Sequence, residues 1–470
     1  MGRTGAASFF MKVAVIGAGW AGLAAAVVAT RDGHHITLFE SSRVLGGRAR
    51  SLPVHRPDGT QLVLDNGQHI MIGAYTATLR LMQDLGVDPA SALLRLPLTL
   101  RFPDGEGLAL PEWPAPLDAA WGICRARGWT VRDKASMLST ALRWQSARFQ
   151  CQPEVTVKTL CSGLTGRVLE QLIEPLCVSA LNTPAARAGG QVFLRVMRDA
   201  LFGKGHGRWG GSNLLLPRVD LGRLLPHAAG QWLANRGARL ELGQRVQDIA
   251  PQGDSWWVDG TAFDAVLLAC PPWEADRLVR SAGIDACEWL QRTAALTHEA
   301  IATVYASGGP RLSLPMLALH STDTAPAQFV FDRSQLGGPP GLLAFVVSAS
   351  PLERDVLQQQ VLAQADVLGW SGLTPVQTVV ERRATFACIP GLLRPELSVA
   401  PGLLACGDYV QGPYPATIEG AVRSAFAACH RLSQTAMPTS PVPGTAHRVR
   451  PGRSGSRAAS SRAATGDPSG

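Results

Sequence analysis

Three glycines and one carboxylate have the spacing best suited to chemistry in this chain: Gly17-x-Gly19-x-x-Gly22, then Glu40. Gly17 permits a tight turn, Gly19 lets the backbone approach a pyrophosphate, and Gly22 lets a helix lie close on a sheet. Glu40 stands where a carboxylate accepts both hydroxyls of an unphosphorylated ribose. These groups need a frame. Lys12 to Ile16, KVAVI, predicts a buried parallel strand, Ala21 to Arg31 a helix ended by Gly33, and His35 to Phe39 a second strand. The helix then points its dipole and its free N–H groups, near Ala18 and Ala21, at the phosphates. A glycine triplet alone also serves packing. Strand, glycines, helix, strand and acid in register point to a dinucleotide.

A second constellation lies late in the chain, in ACGDYVQGPYPATIEGA from Ala405 to Ala421. Leu403 to Cys406 predicts a last buried strand, Gly407-Asp408 ends it, and Ala416 to Leu432 predicts an apolar helix beginning near Thr417. Read alone, this is also an ordinary strand-to-helix cap in which Asp408 satisfies free N–H groups. Between the two, Leu62 to Ile72, LVLDNGQHIMI, is a strand broken by the turn pair Asn66-Gly67.

The chain of 470 residues is 46% hydrophobic, which suits a globular protein of two or three domains. Its nine cysteines are odd in number, scattered and without a CxxC, so neither a disulfide framework nor a metal site is expected, and a reducing, cytoplasmic compartment fits. The formal charge of +8 is no nucleic-acid signal, because Arg448, Arg450, Arg453, Arg457 and Arg462 against Asp467 hold half of it. Residues 435 to 470 are rich in Ser, Pro, Gly and Arg and are expected to be a disordered tail. Val13 to Thr30 is uncharged for long enough to imitate a membrane span, yet its glycine spacing assigns it to the strand and helix above. Residues 1 to 10 are expected to be a loose extension.

From Pro89 to about Arg218 the pattern turns helical, as in Arg132 to Phe149 and Arg167 to Ala180, with Trp113, Trp121 and Trp129 expected as core residues or lipid-facing anchors, the core being the preferred reading. Phe202 to Gly211 has no P-loop spacing and is expected to be a mobile surface segment. The first fold resumes with a helix over 221 to 235, a strand over 240 to 250, a hairpin at SWWVDG and a strand closing at Pro271 and Pro272. Strands at 299 to 306, 327 to 333 and 342 to 348 then form a second domain. The expected fold is α/β: a discontinuous Rossmann-like domain (11–88, 219–280, 385–434) with an inserted α+β domain, helical over 89–218 and sheet-like over 281–384.

Which dinucleotide binds is indicated by SSRVLGGRAR after Glu40. With its Gly46-Gly47-Arg48, the segment resembles the flavoprotein amine oxidase and phytoene desaturase superfamily. That resemblance implies FAD, with Gly47 and Arg48 along its phosphates, Gly67 backbone near the flavin, and Val246 at the adenine. It likewise places Gly407 and Asp408 at the ribityl and pyrophosphate, and Thr417 and Ile418 at the isoalloxazine. Amine oxidases often carry an arginine where this chain has Ser42; either Arg43 supplies that contact or it is absent. DNGQHIMIGAY, SALNTP, GGSNLLLPRVDLGRLLP, RRATFACIPG and GDYVQGPYPATIEGAVRSAFAA, in this order, resemble the hydroxysqualene dehydroxylases, squalene-associated desaturase-like proteins.

The resemblance implies reductive removal of an allylic hydroxyl from hydroxysqualene to give squalene, with hydride from reduced flavin and an electron donor that the residues leave unspecified. Loss of hydroxide from an apolar lipid needs a proton donor and a dry site. The candidates are His69, Asp65, Tyr409 and Tyr414, with His69 preferred and Glu419 more suited to orienting its helix. A turn aspartate and a hydrogen-bonded core histidine are the plainer roles for Asp65 and His69. The same fold would support an isoprenoid desaturase, and a non-catalytic lipid-handling subunit is the alternative of another class. Amine oxidation fits less well, since no lysine lies between Pro271 and residue 400. A C30 isoprenoid substrate implies peripheral contact with a membrane surface and no membrane span.

Overall fold

The computed structural model describes residues 10–55, 59–203, 205–207 and 209–435; the expected terminal extension, apart from Phe10, and nearly all of the expected tail lie outside them. Lys12–Ile16 is the central strand of a six-stranded sheet and pairs in parallel with His35–Glu40 on one side and Ala265–Leu268 on the other. Arg239–Leu242 extends the sheet beyond His35–Glu40, while Leu403–Ala405 and the antiparallel Ser398–Ala400 extend the opposite side. Its strands thus come from three distant parts of the sequence. The middle residues of the central strand are fully buried, as expected for a parallel strand covered on both faces.

The apparent membrane span resolves into strand, glycine turn and the helix Trp20–Arg31, whose alanines and valines let it pack tightly. The closing helix Ile418–Thr435 lies against it, and the Cys429 thiol donates to the Ala25 carbonyl at 3.3 Å. Among the described residues no helix is long and apolar enough to cross a membrane.

A second, antiparallel sheet runs in the order Met316–Ala318, Phe329–Asp332, Leu343–Ser348, His298–Ser307, Thr374–Phe386. Three of its strands lie at or near the expected positions, whereas Met316–Ala318 and Thr374–Phe386 add two strands beyond those expected. The region from 89 to 218 is largely helical, with Val131–Ser146 closed by a reciprocal Thr130/Asp133 capping box.

Four local expectations need correction. The strand over 240 to 250 is two strands in different sheets, because Gly243 at φ +74° turns the chain out of the large sheet. The helix over 221 to 235 divides into Leu221–Leu224 and Pro226–Ala234, Pro226 opening the second piece. Of the three tryptophans only Trp129 is buried, donating to Gln171 at 2.8 Å, whereas Trp113 and Trp121 are exposed. The glycine-rich loop ending at Gly211 is surface only in part: Phe202, Gly203, Gly207 and Gly210 are exposed, but Trp209 is buried, and a Cβ on Gly73 would fall 2.0 Å from the Gly210 carbonyl oxygen.

Candidate active site

The turn after Lys12–Ile16 is a surface from which side chains are sterically excluded. A Cβ on Gly22 would lie 1.8 Å from the Gly17 carbonyl oxygen, and Gly17 itself has φ +107° with Ala269 backbone against it. Gly19 and Gly47 are so close that a Cβ on Gly47 would stand 3.1 Å from the Gly19 Cα. Two glycine turns therefore meet, joined by the Gly46 N–H donating to the Ala18 carbonyl at 2.9 Å. Glu40 closes this end: its carboxylate accepts from the backbone N–H groups of Ala18 and Ser42, each at 2.8 Å.

A cavity of about 510 Å³ begins at this turn, lined by Gly17, Gly19, Ala21, Glu40, Gly47 and Arg48. It continues past Gly67, His69, Gly407, Asp408, Tyr409, Thr417 and Ile418. It ends against Ile70, Val178, Ile301, Phe329, Phe331 and Val346, an apolar wall supplied mostly by the antiparallel sheet. Such a volume is within the range of small-molecule and cofactor sites. A second cavity of about 450 Å³ shares Gly17, Glu40, Pro271 and Trp273 with the first and adds Val246, Arg245 and Arg277.

Arg48 spans the two sequence constellations. Its guanidinium donates to the Asp408 carboxylate and to the Ala384 carbonyl, both at 2.5 Å. Burial pulls its pKa down, but the Asp408 charge more than restores it, so it ends above its ordinary value and keeps its charge. The Tyr409 hydroxyl is buried and has no hydrogen-bond partner among the described residues. Burial holds its pKa well above the usual phenol value, so it is a standing neutral donor.

His69 lines the cavity, with its ring Nδ1 2.9 Å from the Gly67 carbonyl. Burial lowers its pKa, the Gly67 bond opposes this, and the Arg48 charge lowers it further. With Nδ1–H donating to Gly67, the proton exchanged with a ligand is the one at Nε2.

Two candidates sit elsewhere. Asp65 is not part of the lining: its carboxylate accepts from the Leu221 N–H at 2.8 Å and lies 3.9 Å from Arg333. Burial raises its pKa to about 6, against the Leu221 bond and the Arg333 charge. Arg333 in turn donates to Gln68 Oε1 at 2.9 Å, and the Tyr305 hydroxyl donates to the Asp65 carbonyl at 3.1 Å, so this buried group braces the loop from beneath. Tyr414 also lies off the lining, donating to Asp199 at 3.0 Å, with burial and that carboxylate pushing its pKa up to about 12. Glu419 is fully buried and accepts from the N–H groups of Ala77 and Thr78 at 3.0 and 2.9 Å, capping the helix that begins at Thr76.

Several lining residues escaped sequence reasoning. Tyr75 and Gln68 fall inside the DNGQHIMIGAY motif, and Asn182 inside SALNTP, yet nothing in their types marked them out. Asn182, in the left-handed conformation at φ +46°, donates to Thr385 Oγ1 at 2.9 Å and accepts from the Ala349 N–H at 2.9 Å. It thereby fastens a helix end to the apolar sheet.

The family model for flavin-containing amine oxidoreductases matches residues 20–433. The chain belongs to that family. It is 27% identical over 438 residues to a hydroxysqualene dehydroxylase of Rhodopseudomonas palustris, covering 88% of this chain and 96% of that protein. A zeta-carotene desaturase of Zea mays is 36% identical, but only over 78 residues, 17% of this chain and 13% of that protein. Among solved structures, an oxidoreductase from Methanosarcina mazei superposes with TM-score 0.66 at 16% identity, covering 89% of this chain and 100% of that one. The protein is a flavin-dependent oxidoreductase, and the glycine cradle, the orphaned Tyr409 hydroxyl and the two adjoining cavities fit such a group.

Proposed function

We propose that the protein is an FAD-dependent hydroxysqualene dehydroxylase. The observation that carries the reading is one cavity joining a nucleotide turn to an apolar wall, in a chain resembling such an enzyme along nearly its full length. In this reading Gly17, Gly19, Gly22, Gly47 and Arg48 hold the pyrophosphate, Glu40 the ribose and Val246 the adenine side. Gly67, Gly407, Asp408, Thr417 and Ile418 hold the flavin side. Reduced flavin supplies a hydride when bound.

The residues do the rest. Ile301, Phe329, Phe331 and Val346 receive the hydrocarbon chain and exclude water from the reacting carbon, which strengthens every charge interaction there. Protonated His69 gives its Nε2 proton to the departing hydroxyl, so the C–O bond breaks with water as the leaving molecule and the carbon receives the hydride pair. A low pKa makes His69 a stronger acid when it is protonated and a scarcer one at neutral pH. The neutral Tyr409 hydroxyl and the fixed charge of Arg48 make the cofactor end of the site polar. The electron donor that restores the flavin is a separate partner.

The test is directional. Dithionite-reduced protein with hydroxysqualene yields squalene, whereas the oxidised protein with squalene or phytoene yields no desaturated product. Desaturation without dehydroxylation overturns the proposal in favour of an isoprenoid desaturase, and inactivity in both directions with bound flavin favours a lipid-handling subunit.

A further inference from the structure

The helix Leu117–Cys124 packs Ile123 inward but turns Leu117 and Trp121 outward. Trp121 is 41% exposed and Trp113, just before the helix, 49%; their rings meet at a tilt of 36° with centroids 5.1 Å apart. Leu117, one turn before Trp121 on the same face, is 62% exposed. Arg125 lies over the Trp121 ring at 5.0 Å. The adjoining helix Val131–Ser146 adds Val131, 85% exposed, and Leu142, 65% exposed. Isolated exposed apolar residues are common on proteins, whereas two tryptophans in contact beside an exposed leucine form a contiguous patch of the kind that marks interaction surfaces.

The charges around it select the partner. Between residues 113 and 150 the chain carries Arg125, Arg127, Arg132, Lys134, Arg143 and Arg148, against only Asp118 and Asp133. Both acids are buried, and Asp133 is engaged by Thr130 and Thr165. The surface is therefore apolar, bears tryptophan and is flanked by an excess of cations; the exposed carboxylate beside Trp113, that of Glu112, is already paired with Arg95 at 2.7 Å. Tryptophan favours the boundary between headgroups and hydrocarbon, and cations favour an anionic leaflet.

We propose that Trp113, Leu117 and Trp121 dock this protein on an anionic phospholipid surface, with Arg125 and Arg127 among the headgroups. The proposal gives the membrane contact a location; it rests on the proposed lipid substrate only for its purpose.

The free, exposed thiols Cys124 and Cys287 allow a site-resolved test on the flavin-loaded full chain. A Cys287→Ser variant labelled at Cys124 with a polarity-sensitive fluorophore is mixed with phosphatidylcholine vesicles, with or without phosphatidylglycerol. A Cys124→Ser variant labelled at Cys287 is the counterpart. The expected result is a blue-shifted, brighter signal from Cys124 with the anionic vesicles and none from Cys287. Replacing both tryptophans, Trp113→Ser and Trp121→Ser, should lower vesicle partition by about tenfold or more while the flavin absorbance stays. Equal response at both thiols, no response at Cys124, or undiminished binding by the double variant would overturn the proposal, the last pointing to the arginine-rich C-terminal segment. Because the vesicles contain no isoprenoid, the outcome is independent of which reaction the enzyme catalyses.

Discussion

The two ends of the cavity are built on opposite principles. At the nucleotide end the fold presents main chain: Gly17, Gly19, Gly22 and Gly47 stand where a Cβ would strike backbone or where two backbones nearly touch. At the other end it presents side-chain surface, with Ile301, Phe329, Phe331 and Val346 contributed by three neighbouring strands of an antiparallel sheet. The first end depends on single atoms, and at Gly17 and Gly22 it admits no side chain. The second depends on area and shape, which many apolar residues supply. A break at the first should therefore abolish cofactor binding, and a break at the second should spare the cofactor.

The largest effect is expected from Gly22→Val, whose Cβ would lie 1.8 Å from the Gly17 carbonyl oxygen. Purified protein should carry no flavin absorbance, or fail to fold; a yellow, folded variant would show that the helix has room the geometry denies. Next is His69→Gln, which should keep the flavin and lower kcat by about 10²–10⁴-fold. For the wild type, the depressed His69 pKa means that the acid form is populated only below the usual histidine value of 6.5. Its rate should rise as pH falls toward that range, and the variant should lose this limb of the profile.

At the apolar end, Phe331→Ala should cost about 3–5 kcal/mol in chemical denaturation while flavin stays bound under native conditions. Loss of flavin in proportion to loss of hydrocarbon surface would contradict the separation of the two ends. The smallest effect is expected at Asp65, whose pKa is raised from 3.8 to about 6 on folding. A raised acid favours the folded state fully below its unfolded pKa, and that contribution is lost as pH rises through the folded one. Between about pH 4 and 6 the wild type should lose on the order of 2–3 kcal/mol relative to Asp65→Asn, measured by denaturant titration at each pH.

The same contrast explains what the sequence disclosed. Gly17 to Glu40 was legible because its constraints are local: strand, turn, helix and acid lie within one short segment. The strands of the second sheet were approximately placed, but their inward side chains were not, since any of several valines and phenylalanines could have formed the wall. Asp65 lies off the cavity lining for a long-range reason. It shares a strand and turn with Gly67 and His69, but its partners Leu221 and Arg333 come from distant segments, and these draw the carboxylate away from the cavity. Tyr414 follows the same logic through Asp199. Gly243 ended a strand that hydrophobic pattern alone prolonged, and Trp113 and Trp121 were assigned mainly to the core because aromatic residues usually seek it.

The central claim is that the apolar wall and the nucleotide turn serve one reductive reaction. Its most direct measurement is anaerobic mixing of the flavin-reduced protein with hydroxysqualene, following flavin absorbance and extracted lipid in the same samples. The account predicts reoxidation of the flavin with one squalene formed per flavin. A flavin that stays reduced, or reoxidises without squalene, would contradict it.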